Sequence, residues 1–161
     1  RDLYVTGVQT CALPISDRDK RIHLIVDTYS KDKLIGLQSV CDSFVSLHRA
    51  EGFGRNIAEA MLLGKPVIVS DYSGNQDFTT EETAFMVPGS IVPLAKDDYT
   101  FAEAQVWFEP DVSTAASMLK VCREDIDLRR RKAVAGKAFV SRTFSAENVG
   151  ATYKKRMDFL K

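Results

Sequence analysis

The stretch EGFGRNIAEAMLLGKP, Glu51–Pro66, sets two carboxylates on either side of a glycine-rich turn. A loop carboxylate such as Glu51 accepts hydrogen bonds from hydroxyls, which is the chemistry a sugar asks for. It also reads as an ordinary solvated loop charge. Gly52 and Gly54, with Phe53 between them, let the backbone turn sharply and come close to a ligand. The apolar run that follows predicts a helix starting near Asn56 and carrying Ile57, Met61 and Leu62. The free N–H groups of its first turn, around Asn56 and Ile57, then face the glycine turn. Such a helix start is an anion site, for which a diphosphate is the usual occupant. Glu59 has two readings. With Asn56 three residues before it, it makes a capping box; as a free acceptor it grips ligand hydroxyls. Arg55 is either a cation near the phosphates or a solvated residue at the helix start.

Other residues invite chemistry less strongly. His48 and Arg49 stand just before the turn, and His48 reads as structural or as part of a ligand rim. SGNQDF, Ser73–Phe78, follows the next apolar run, so Gly74 and Asn75 either shape a sugar pocket or make a plain turn. LRRRKAVAGKAF, Leu128–Phe139, is basic, but Leu128, Ala135 and Phe139 give it an apolar face and no aromatics interleave the charges, which favours a solvated helix over nucleic-acid binding. Cys11, Cys41, Cys122, His23 and His48 are scattered, so no metal site is expected and a reducing, cytoplasmic setting is the simplest reading. The 161 residues carry 22 basic and 22 acidic side chains, which gives no bulk attraction to nucleic acid or anionic membrane. No apolar run approaches the roughly 20 residues of a membrane span.

The elements that must position these residues read as alternating strands and helices. Strands are expected at Arg21–Asp27, Ser43–Leu47, Pro66–Ser70 and Ala84–Pro88. Ser30 caps a helix bearing Leu34, Leu37 and Cys41. Gly64 and Pro66 end the helix after the glycine turn. The run Pro66–Ser70 is apolar on both faces, as a central parallel strand would be. Three helices follow: one capped by Asp111 with Val112, Ala115, Leu119 and Cys122 inward, one over about Asp127–Thr143, and one from Ser145 with Val149, Tyr153 and Met157 in a stripe. Residues 90–110 show no clear period. The alternation predicts an α/β fold, a Rossmann-like parallel sheet with flanking helices.

VTGVQTCALPI, Val5–Ile15, fits none of this; it looks like a translated sequencing adapter. Residues 1–15 are therefore set aside as non-native. The expected organisation is then a partial nucleotide-sugar-binding domain over 16–143 and a C-terminal helix over 144–161.

Cys41–Phe78 resembles the donor-binding half of retaining glycosyltransferases with the two-domain GT-B fold, in particular family four, the glycosyl transferases group 1. Glu51 and Glu59 match that family's E-x7-E motif, with GFG between them, EAM-x-x-GKPVI around and after the second glutamate, and SGN downstream. WFEPDVSTAASML resembles its W-x-EPD segment. The resemblance covers most of Arg21–Leu160. It implies that Glu59 binds ribose hydroxyls of a UDP- or GDP-hexose and that Glu51 lies by the donor sugar as the catalytic carboxylate. It implies that the N–H groups of Phe53, Gly54, Asn56 and Ile57 face the sugar and diphosphate, and that the base packs near Val26–Tyr29. The donor is a substrate, with no further cofactor and no metal at this step. A saccharide or lipid-linked acceptor would come through a missing N-terminal domain, toward which the last helix packs. That domain could also hold the intact enzyme at the inner membrane, and a fragment would be inactive alone. The chain departs from the family at Arg55 and Asn56, where Leu and a small residue or Pro are commoner, and the phosphate-gripping Arg and Lys of an earlier segment are not found. Two alternatives stand beside this reading: a non-catalytic nucleotide- or phosphate-binding module, and a phosphorylase on the same fold.

Overall fold

The computed structural model describes Asp19, Arg21–His23, Ile25, residues 27–95, Asp98, Thr100 and residues 103–160. The chain divides into two units, Arg1–Leu34 and Ile35–Lys161. The adapter-like segment and Val26 lie outside the described residues.

In the first unit, Arg21, Ile22, His23, Ile25 and Asp27 belong to no strand, contrary to expectation; Leu24 and Val26 lie outside the described residues. Apolar β-branched residues make a strand only when a neighbour pairs with their backbone, and Ile22 and Ile25 remain exposed. The predicted cap at Ser30 is present. Its hydroxyl accepts from the Lys33 N–H at 3.3 Å and opens helix α1, Lys31–Val40.

In the second unit, three parallel strands form a sheet in the order β1 (Phe44–Ser46), β2 (Val67–Ser70), β3 (Phe85–Val87). All four residues of β2 are buried, as its two-sided apolar run requires. Val67 and Val69 join one core cluster with Ile57, Ala60 and Met61 of helix α2 (Arg55–Leu62), Phe78, Met86 and Val140. Ile68 enters the other cluster, with Phe85, Val87, Ala115 and Cys122. Alternate residues of one strand thus feed cores on both faces, which is the doubly covered sheet expected of parallel strands.

Helix α2 ends as read. The Lys65 N–H donates to the Ala60 carbonyl at 3.0 Å and the Gly64 N–H to the Met61 carbonyl at 2.9 Å, with Gly64 at φ +73°. This pair of bonds is a Schellman motif, which turns the chain straight into β2.

Residues 89–110 are where the sequence said least. They hold an antiparallel hairpin, β4 (Gly89–Pro93) and β5 (Val106–Pro110), which forms its own two-stranded sheet. Helix α3 (Val112–Glu124) follows, with the Asp111 carboxylate accepting from the Thr114 N–H at 2.9 Å. Its inward face is narrower than predicted: Ala115 and Cys122 are buried, whereas Val112 and Leu119 are exposed.

Helix α4 (Ile126–Thr143) packs the expected Leu128 and Phe139 against the core, but its fully buried residues lie beside them. Lys132, Ala133, Gly136 and Val140 are buried, while Leu128, Ala135 and Phe139 are only half-buried. Burial of Lys132 is satisfied because its ammonium donates to the Ala84 carbonyl at 2.8 Å and to the Glu81 carbonyl. Helix α5 (Ala146–Phe159) buries no residue, and its stripe of Val149, Tyr153 and Met157 is exposed. Among the described residues, no helix is long and apolar enough to cross a membrane.

Candidate functional site

Parallel pairing puts the loops after β1 and β2 at the same, C-terminal end of the sheet. Ligands of open α/β sheets bind at that end. The first loop carries His48, Arg49 and Glu51–Gly54 and leads into helix α2 with Arg55, Asn56, Ile57 and Glu59, and the second carries Gly74 and Asn75.

They are sewn together through backbone. The Ser73 hydroxyl accepts from the Glu51 N–H at 2.9 Å and donates to the Glu51 carbonyl. The Gly74 N–H donates to the same carbonyl at 3.1 Å. An ideal Cβ on Gly74 would stand 1.9 Å from the Gly52 carbonyl oxygen, so only glycine permits the contact. Ser73 itself takes φ +80°, rare for a residue with a side chain. The Glu51 carboxylate has no hydrogen bond or ion pair among the described residues, and Glu51 is exposed.

Beneath this seam lies a buried polar chain. The Asn75 side-chain nitrogen donates to the Ser70 carbonyl at 3.0 Å and to the Thr79 hydroxyl at 2.9 Å. That leaves its oxygen facing His48 Nε2 at 2.9 Å, and the Tyr72 carbonyl also meets Nε2, at 3.0 Å. Both partners are acceptors, so Nε2 carries the proton and Nδ1 accepts from the Ser46 hydroxyl at 3.1 Å. His48 therefore ties the first loop to the second. Asn75 is fully buried and its amide is occupied by protein, so it supports the site from below.

Helix α2 starts at Arg55, so its cap falls two residues before Asn56, the position that a capping box with Glu59 requires. Gly54 is its N-cap, at φ +89°, and no side chain caps the helix. Glu59 is consequently the fifth helical residue rather than the third, and the capping box between Asn56 and Glu59 does not form. A side chain reaching back to the cap must sit one turn in, and here that position belongs to Ile57, which is in the core. Glu59 keeps only a 3.9 Å ion pair with Arg55, whose side chain is 81% exposed. The first-turn N–H groups of Arg55, Asn56 and Ile57 have no intrahelical acceptor. Asn56 is exposed beside them.

The glycine turn is held by its one aromatic. The Phe53 ring lies 5.0 Å from Phe78 and 5.1 Å, edge to face, from Phe144 just beyond α4. Gly52 and Gly54 flank this anchor. Phe53 thus contributes its backbone to the loop and its ring to the packing. Nothing in local spacing pointed to Phe144, which lies some ninety residues away in the chain.

Two open depressions, of about 430 and 530 Å³, lie at the opposite end of the strands, where Asp42, Ser43 and Pro66 enter them. They are separate from the seam. Among the described residues no group of His, Cys, Asp and Glu gathers as a metal site.

The family model for glycosyl transferases group 1 matches residues 11–104, more than half of the chain and all of both loops. The chain belongs to this family. No curated protein matches the sequence significantly. Solved structures resemble this group 1 chain in fold. The sucrose-phosphate synthase of Thermosynechococcus elongatus superposes with a TM-score of 0.69 at 20% identity, over 95% of this chain and 33% of its own. Anabaena HepE, solved with UDP-glucose, gives 0.65 at 20% identity, over 96% of this chain and 38% of its own. A glycosyltransferase from Rickettsia africae gives 0.60 at 18% identity, over the whole of this chain and 41% of its own. The group 1 chain therefore spans well under half the length of these relatives in fold. Its three-stranded parallel sheet with flanking helices is the GT-B type of α/β architecture expected from the sequence.

Proposed function

We propose that the chain forms the nucleotide-sugar side of a retaining glycosyltransferase, which takes a UDP- or GDP-hexose and passes the sugar to a saccharide or lipid-linked acceptor. The observation that carries this reading is the uncapped start of α2 beneath the seam between the Glu51 and Ser73–Gly74 loops. Free N–H dipoles there suit a diphosphate. Two carboxylates free of hydrogen bonds among the described residues flank the position, and both are acceptors for sugar hydroxyls. Anabaena HepE, which shares the fold, was solved with UDP and with UDP-glucose.

In this reading Glu59 accepts from the ribose hydroxyls, Glu51 lies by the donor sugar, and the N–H groups of residues 53–57 face the diphosphate. As the glycosidic bond breaks, negative charge grows on the departing diphosphate. Fixed dipoles aimed at that charge stabilise the transition state more than the ground state. The seam supplies the fixity: Ser73 and Gly74 hold the Glu51 backbone on both its N–H and its carbonyl.

Calorimetric titration of UDP, GDP, ADP and inorganic phosphate into the chain tests the proposal. Saturable binding of UDP or GDP, with little for phosphate alone, is the expected result. Tight binding of free phosphate with no nucleotide preference would overturn it in favour of a phosphorylase.

A further inference from the structure

The β4–β5 hairpin leaves the sheet beyond the C-terminal end of β3, so it rises beside the two loops just described. It is docked onto both of them. The Phe108 N–H of β5 donates to the Arg49 carbonyl at 3.2 Å, two residues before Glu51. The Arg49 guanidinium donates from Nε to Glu109 Oε2 at 2.8 Å, with a second nitrogen at the same distance from that oxygen. Its plane lies over the Trp107 ring, 4.1 Å from the centroid. On the other loop, Tyr72 stacks on Phe108 at 4.8 Å and 5°. The Tyr72 carbonyl is in turn bound by His48. Arg49 is thus the residue at which the Glu51 loop, Trp107 and Glu109 meet.

We infer that Arg49 is a positioning residue, and that the hairpin acts through it to hold the Glu51 loop in its ligand-ready shape. The pair with Glu109 is half-exposed, with side chains 48% and 41% accessible. Exposed pairs of this kind contribute little to global stability. Their effect is local. A loop that is free to leave its competent position lowers apparent affinity by the fraction of time it is away. The planar guanidinium of arginine fits this place, because it can lie over Trp107 while its Nε donates to Glu109. Glu109 is fixed in turn by the strand pairing of the hairpin. The inference rests on the proposed donor site for its binding readout, and has a second readout that does not.

The test compares wild type, Arg49→Ala, Arg49→Lys, Glu109→Gln and the double variant Arg49→Ala/Glu109→Gln in the full chain. Without ligand, the exchange of the Glu51 and Gly74 amide protons is followed by mass spectrometry. With UDP or GDP, affinity is measured by calorimetry. The expected result is faster exchange at both amides in Arg49→Ala and Glu109→Gln, an affinity loss of about tenfold, and melting temperatures close to wild type. The double variant should be no worse than either single one, and Arg49→Lys should recover part of the loss. Unchanged amide exchange in Arg49→Ala would overturn the inference whatever the nucleotide data show. So would an Arg49→Ala affinity equal to that of a wild type that binds. A wild type that binds neither nucleotide would count against the donor site alone, and the exchange data would still decide the role of Arg49.

Discussion

At Gly74 a methyl group would meet a backbone carbonyl of the opposite loop, which no side-chain rotation can relieve. Gly74→Ala should therefore push the two loops apart. We expect a loss of about 1–3 kcal/mol in urea unfolding, the scale of overpacking at a tight contact, together with loss of nucleotide binding. Asn75 differs because its partners are lost rather than displaced. In Asn75→Leu the Ser70 carbonyl, the Thr79 hydroxyl and the His48 N–H each lose a partner. His48 keeps the Tyr72 carbonyl and Thr79 keeps the residue 75 carbonyl, so a cost of about 1–3 kcal/mol, the scale of one buried polar group left unsatisfied, is expected in the same unfolding measurement. Glu51 and Glu59 stood out in the sequence as candidate acceptors on either side of the glycine turn. The difference between a cap and a free acceptor at Glu59 was not legible, because it depends on where the helix starts, and a shift of two residues decides it. His48 and Asn75 show the same limit. Their types suggested chemistry, but only a contact across twenty-seven residues reveals that they hold each other.

Among the elements, helix α3 offers a pH test. The Ser113 hydroxyl and then the Thr114 N–H both bond the Asp111 carboxylate and hold its pKa below the ordinary value. A carboxyl with a lowered folded pKa stabilises the fold above its unfolded pKa of about 3.9. That contribution fades as pH falls through the lower folded value. Wild type should therefore melt above Asp111→Ala at neutral pH, and the gap should close in acid; a gap unchanged at pH 2 would contradict the cap. The legibility of the elements follows from what defines each one. Strands β1, β2 and β3 and the caps at Ser30 and Asp111 are written in short apolar runs and single capping residues, and the structure has them. The β4–β5 hairpin was not legible. GSIVP and VWFEP begin or end in Gly and Pro, which read as turn signals, and twelve residues separate the strands. Arg21–Asp27 fails for the converse reason, since its composition suits a strand but no described residue pairs with it. In α4 the helical period was right and Leu128 and Phe139 do pack against the core, but burial of Lys132 beside them was not legible, because it depends on bonds to two distant carbonyls.

For the whole molecule, the balance of 22 basic and 22 acidic residues gives no overall field to attract a charged ligand, so the proposed site must rely on local groups. The family assignment and the fold agree with that seam as a place for a nucleotide-sugar. Glu59 is the discriminating residue. It has no capping role and only a 3.9 Å contact with a largely exposed arginine, so removing its carboxylate should leave the fold intact. The most direct measurement is calorimetric titration of UDP and GDP into wild type and Glu59→Ala, with melting curves of both. The account predicts that wild type binds one of the two nucleotides, that the variant binds it more weakly by about 1–3 kcal/mol, the scale of a lost charged hydrogen bond, and that both melt alike. Equal affinities, or a folded wild type that binds neither nucleotide, would contradict it.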